Sequence, residues 1–311
     1  MRSSVLSALV LALPLCAQVK FTEQAERILV EIDGKPYTTF YLAPGGNKPY
    51  VYPLSTASGI VVTRHFPMEE FPGETKDHPH HRGMFFSHGD VNGINFWATE
   101  PGTNGAKQGR MVLKKVLEAK GGQKSGTVRV VFDADDPQGK AIMSETRTIT
   151  FDSDPRLRTI DYEAGIGAID KLVFGDTKEG TFGIRLATSM TEDKGGRMVN
   201  AEGAETEKNV WGKRSAWVDY AGQVDGQTVG IAIFDHPANP RHPTYWHARA
   251  YGLFAANPFG ASDFTGDKSQ NGGMTVEAGK TIRFRYRVVI HAGDFRAANI
   301  AELYRQYAAA K

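Results

Sequence analysis

The chain has 311 residues, 41% hydrophobic and 23% charged, the balance of a folded rather than a disordered protein. Its net charge of +2 gives no electrostatic footprint for nucleic acid or an anionic membrane surface. One cysteine, Cys16, excludes a disulfide framework and a cysteine zinc site.

Arg2 precedes an apolar run from Val5 to Leu15, broken by Ser7 and Pro14, and small Ala17 stands before Gln18. The pattern predicts a signal peptide over residues 1–17, too short to span a bilayer. Lipid attachment at Cys16 is the alternative, although Leu15 stands where a small residue is usual. No later segment is long and apolar enough to span, so the expected location is secreted or periplasmic.

Short strand-like runs then recur between turn signals. Arg27 to Ile32 leads through Asp33-Gly34, a hairpin signal, to Pro36 to Leu42. Further runs are Val112 to Leu117, Thr127 to Asp133, Glu145 to Phe151, Leu157 to Tyr162, Phe182 to Ala187 and Val229 to Phe234. The clearest is Thr281 to His291. There Ile282, Phe284, Tyr286, Val288 and Ile290 alternate with Arg283, Arg285 and Arg287, which period 2 places on a solvated face. One helix is expected at the C-terminus, capped by Asp294, with Ile300, Leu303, Tyr304 and Tyr307 on one face. The predicted fold is all-β, a large antiparallel β-sandwich over residues 18–311 with a short C-terminal helix. A smaller N-terminal lobe over about residues 20–60 is the alternative.

The densest polar cluster is Asp77-His78-Pro79-His80-His81-Arg82, followed by His88, Asp90, Asn95 and Trp97. If residues 80–88 are extended, His80, Arg82 and His88 share a face. A second cluster holds His236, Arg241, His242, Trp246, His247 and Arg249, and a third holds Lys178, Glu179 and Arg185. Imidazoles exchange protons near neutrality, Arg and Asn hold hydroxyls, and Trp stacks on the apolar face of a pyranose. Proton transfer on a sugar therefore competes with His-ligated metal chemistry and with sugar binding without catalysis. No HExxH, GxSxG, P-loop or convincing GxGxxG motif is present.

The segments DHPHHRGMFFSHGDVNGINFW, DTKEGTFGIR and DHPANPRHPTYWHAR with NPFG resemble a bacterial family labelled "methane oxygenase PmoA" or PmoA-like, over about residues 22–305. The methane monooxygenase subunit behind that label is an integral membrane protein and this sequence has no span, so the label implies no such activity. At fold level the resemblance is to the galactose-mutarotase-like supersandwich of sugar epimerases, some polysaccharide lyases and some glycosidases. It implies a carbohydrate-active protein, an epimerase, lyase or hydrolase on a sugar or oxidised sugar.

On residue chemistry, His88 or His81 is the expected proton donor and Glu179 the base. Arg82, Arg185, Arg241 and His247 are expected to position oxygens, with His78, His80, Asp90, Asn95, Trp97, His236, His242 and Trp246 lining the substrate. The expected partner is a small carbohydrate without a cofactor; a divalent metal on the His78–His88 cluster is the alternative.

Overall fold

The computed structural model of the chain describes residues 18–100 and 107–310; the expected signal peptide, with Cys16, lies outside them. Among the described residues, nine strands form one antiparallel sheet. Their order is Val19–Gln24, Arg27–Ile32, Lys35–Tyr41, Tyr50–Tyr52, Met84–His88, Gly180–Arg185, Leu253–Asn257, Thr244–Ala248 and Arg214–Ser215. Eight form a second: Arg197–Asn200, Trp217–Val224, Gln227–Asp235, Thr281–Ala292, Arg158–Ala168, Ala141–Asp152, Ser125–Asp135 and Arg110–Lys120. The strands over residues 19–52 belong to the first sheet and make no separate lobe.

Alternation along each strand sends one set of side chains between the sheets. Phe86, Phe182, Ile184, Trp246 and Phe254 from the first meet Phe132, Ile149, Ile231, Phe284 and Tyr286 from the second, all buried. Phe182 stacks on Tyr286 with ring centres 4.6 Å apart. Each such side chain contributes roughly 1.5–3 kcal/mol by burial. An ion pair also sits in this layer. Arg147 donates to Glu145 at 2.5 Å, and across to the first sheet at the Phe86 carbonyl, 3.0 Å.

The final strand follows the expected alternation, with Phe284, Tyr286, Val288 and Ile290 buried. Its arginine face is bonded rather than merely solvated: Arg285 donates to Glu163 at 2.8 Å and Arg287 to Asp161 at 2.6 Å. The C-terminal helix runs Ile300–Ala309. Asp294 caps an earlier turn, accepting from Arg296 and Ala297 N–H at 3.0 and 2.9 Å. The helix lays Ile300 and Tyr307 on Trp217, Phe234 and Val289, covering part of the second sheet's outer face. No helix among the described residues is long and apolar enough to cross a membrane.

The first sheet's outer face positions the site. Tyr50, Tyr52, Phe85, Leu253 and Ala255 form an apolar patch there with Trp97. Arg185 is paired with Leu253, and His247 with Ala255, so both side chains emerge on the same face.

Candidate functional site on the outer face of the first sheet

The loop from Arg64 to Gly83 folds over this face. Gly83 ends it at φ +53°, where a Cβ would lie 2.2 Å from the Val51 carbonyl, so only glycine lets the chain enter the strand Met84–His88 here. His78 has φ 46°, and the turn brings its Nδ1 to the Asp77 carboxylate in a short hydrogen bond. Two arginines brace Asp77. Arg64 donates to Asp77 Oδ1 at 2.8 Å, and Arg185 to Oδ1 and Oδ2 at 2.9 and 3.1 Å. Both arginine side chains are buried, at 0% and 1% exposure, whereas Asp77 and His78 are 36% and 41% exposed. Burial by itself would raise the Asp77 carboxyl. The Arg185 charge and the bonds from His78, Thr75 and Arg185 outweigh it and hold the group well below the usual carboxylate range.

A column of rings runs inward from the exposed imidazole. His78 stacks on Tyr251 at 5.0 Å and on His81 at 4.9 Å, with planes within 8° and 3°. Trp97 meets His81 edge-on at 5.7 Å. Arg185 lies 4.6 Å over the Tyr251 ring and Arg249 5.6 Å. Burial pushes the Tyr251 phenol up to about 12; Arg185 and Arg249 oppose this, while the charges of Glu179 and Asp77 add to it. Burial pushes His80 down to about 3, aided by Lys48, His78, Arg64 and Arg185. His81 is lowered in the same way, burial first, then His80, Arg185 and His78. Both are neutral imidazoles near pH 7. Arg185 Nη1 donates to His81 Nδ1 at 3.4 Å, and a guanidinium only donates, so the His81 proton sits on Nε2. That Nε2, His80 Nδ1 and Trp97 Nε1 are buried without a hydrogen-bond partner among the described residues. A buried donor left unpaired costs about 1–3 kcal/mol.

Other expected residues reach the same face. Glu179 is 37% exposed beside Lys178. His247 accounts for its placement: its ring is bonded to the Lys178 carbonyl, 2.9 Å from Nδ1, and fixes that turn. Arg82 pairs with Glu100 at 3.2 Å and lies 5.7 Å over the Tyr50 ring. Lys48, buried, donates to the Trp97 carbonyl at 2.5 Å; burial lowers it to about 8 against the opposing charge of Glu100.

The remaining expectations separate. His88 does not share a face with His80 and Arg82, because residues 80–82 are loop and the strand begins at Met84. Its ring turns inward, 3% exposed, packs on Phe259 and bonds the Gly175 carbonyl at 2.9 Å. Burial lowers it to about 4, only partly offset by the Gly175 bond and Asp90. It is therefore a neutral core residue and not the proton donor of this face. Trp246 is fully buried between the sheets and donates to Ser215 O at 2.9 Å. Asp90 and Asn95 shape their own loops, accepting from Gly93 N–H and from Trp97 and Ala98 N–H. Arg241 pins backbone carbonyls of Pro258, Gly272 and Gly273. His242 pairs with Asp235 at 2.7 Å. His236 contacts Tyr307 of the C-terminal helix, beside the second sheet. None of these three joins the His78 group. Among the described residues no group of three or more His, Cys, Asp or Glu is placed to hold a metal ion. The sequence reading gave no role to Arg64, Lys48 or Tyr251. They lie on distant segments, and only the fold gathers them.

The class these features define is an antiparallel β-sandwich with a charged, ring-lined site on the open face of one sheet. The chain belongs to the family of unknown function DUF6807, whose sequence profile matches residues 27–305. No curated protein matches it. Solved structures that it resembles include an α-galactosidase from Lactobacillus brevis, at 10% identity and TM-score 0.46, over 93% of this chain and 42% of that one. A galactose mutarotase-like protein from Lactobacillus casei aligns at 11% identity and TM-score 0.40, over 88% and 100% of the two chains. A galactose mutarotase related enzyme from Lactobacillus acidophilus aligns at 9% and 0.36, over 88% and 97%. The chain thus spans less than half the length of the α-galactosidase.

Proposed function

We propose that the protein performs acid/base chemistry on a sugar or oxidised sugar at the outer face of the first sheet, and that His78 moves the proton. The observation that carries this reading is the Asp77–His78 pair, held by two buried arginines and left open to solvent on the imidazole side. With Nδ1 bonded to Asp77, the His78 Nε2 is the atom that meets a substrate, and the carboxylate stabilises the imidazolium formed when it takes a proton. Glu179 is the opposite partner. The Tyr251 phenol, protonated near neutrality, donates to a substrate oxygen. Arg82 and Arg249 hold further oxygens. The N-terminal segment fits export to the periplasm or beyond, where small carbohydrates are the partners.

A second reading, saccharide binding without turnover, is favoured by one observation: burial keeps His80, His81 and His247 from titrating near neutrality. Incubation with a panel of mono- and disaccharides and their 3-keto forms, followed by NMR, separates the two. Faster anomer exchange or a new product, lost in Asp77→Asn, supports proton transfer. Saturable binding with no product supports the second reading.

A further inference from the structure

His65 and Phe71 to Glu74, in the loop that carries Asp77, also line a groove of about 700 Å³, together with Ala187 to Ser189 and residues 223–225. That volume lies within the range of small-ligand sites, about 300–1,000 Å³. Phe71 stands in it with 52% of its surface exposed, the opposite of what burial energetics favour for a phenylalanine. It is not a loose side chain. It stacks flat on His65, with ring centres 4.2 Å apart and planes within 8°. His65 is fixed in turn by Glu74, which lies 2.9 Å from the ring Nδ1 and accepts from the His65 and Phe66 N–H groups at 2.9 Å each. The result is a braced aromatic shelf with one face free.

We infer that this groove is a second saccharide-binding site, for a neutral oligosaccharide, with one pyranose stacked on Phe71. Around the shelf the lining supplies hydroxyl and amide groups from Ser58, Thr188, Ser189 and Gln223, the partners that sugar hydroxyls take. Lys194 is balanced by Glu74 and Asp225, so the groove has no cationic excess to draw a phosphorylated ligand or a nucleotide. The site is distinct from His78 and stands whether or not that residue turns over a sugar.

The test is calorimetric titration of the purified chain with maltotriose, cellotriose and xylotriose, and with AMP as the contrasting stacked ligand. At least one trisaccharide binds saturably. Phe71→Ala weakens it about tenfold, equivalent to about 1.4 kcal/mol, while His78→Gln leaves it unchanged and thermal unfolding of Phe71→Ala matches the parent. Binding of AMP but no trisaccharide, no binding of any trisaccharide at millimolar concentration, or full affinity in Phe71→Ala overturns the assignment. Loss of affinity in His78→Gln alone would place the sugar at the first site instead.

Discussion

Asp77 and His78 are neighbours in the chain and hydrogen-bonded through their side chains, a relationship an extended strand forbids because consecutive side chains point apart. The left-handed backbone at His78, φ 46°, turns the imidazole back onto the carboxylate, and Arg64 and Arg185 lock the carboxylate from beneath.

That lock predicts an acid response. The Asp77 carboxyl titrates below its ordinary value of 3.8 when folded. Its contribution to stability is therefore present above that value and is lost as pH falls through the folded pKa. Thermal melts between pH 5 and 2 should show the parent losing stability more steeply than Asp77→Asn. Parallel curves would mean that the carboxylate is not held as described.

The buried imidazoles predict a second trend, at higher pH. His88 and His247 are lowered from 6.5 to about 4 by burial. Below pH 6.5 the unfolded chain takes up protons that the fold refuses, so stability declines from there toward pH 4. Each such group adds up to about 1.4 kcal/mol per pH unit to the slope. Urea unfolding at pH 7, 6 and 5 should give a shallower decline for His88→Met than for the parent, and an equal slope would place His88 in water.

On the same outer face of the second sheet as the arginines, Asp219 and His291 form a pair buried to 1% and 2% exposure, 2.7 Å apart. Removing one member leaves the other without compensation, so Asp219→Ala should lower the unfolding free energy by about 3–5 kcal/mol. A change under 1 kcal/mol in urea melts would count against the pair.

Space around Gly180 gives a fourth expectation. A Cβ there would meet His88 Nδ1 at 2.5 Å. Gly180→Ala must displace the ring from its seat beside Phe259, at a cost of about 1–3 kcal/mol. Chemical denaturation of the variant reads the difference, and an unaltered midpoint would show that the ring moves freely.

Much of the fold was legible because alternation is a local signal: Arg27–Ile32 and Thr281–Ala292 were found within a residue. Strands such as Thr244–Ala248 and Leu253–Asn257 were missed, since nearly every residue in them is buried and the period disappears. The same blindness misplaced Trp246. Met84 and Phe86 carried a usable warning about His88, because period 2 puts it with them on the apolar face. The His78–His81 cluster was visible as a run of ligating residues. The bracing of Asp77 was not, because Arg64 and Arg185 reach it from 13 and 108 residues away.

The measurement closest to the central claim compares His78→Gln with His236→Gln, which lies beside the other sheet, on a sugar that the parent converts. Proton transfer by His78 predicts that His78→Gln loses about 10²–10⁴ of the rate while His236→Gln keeps it. Full activity in His78→Gln would contradict the account.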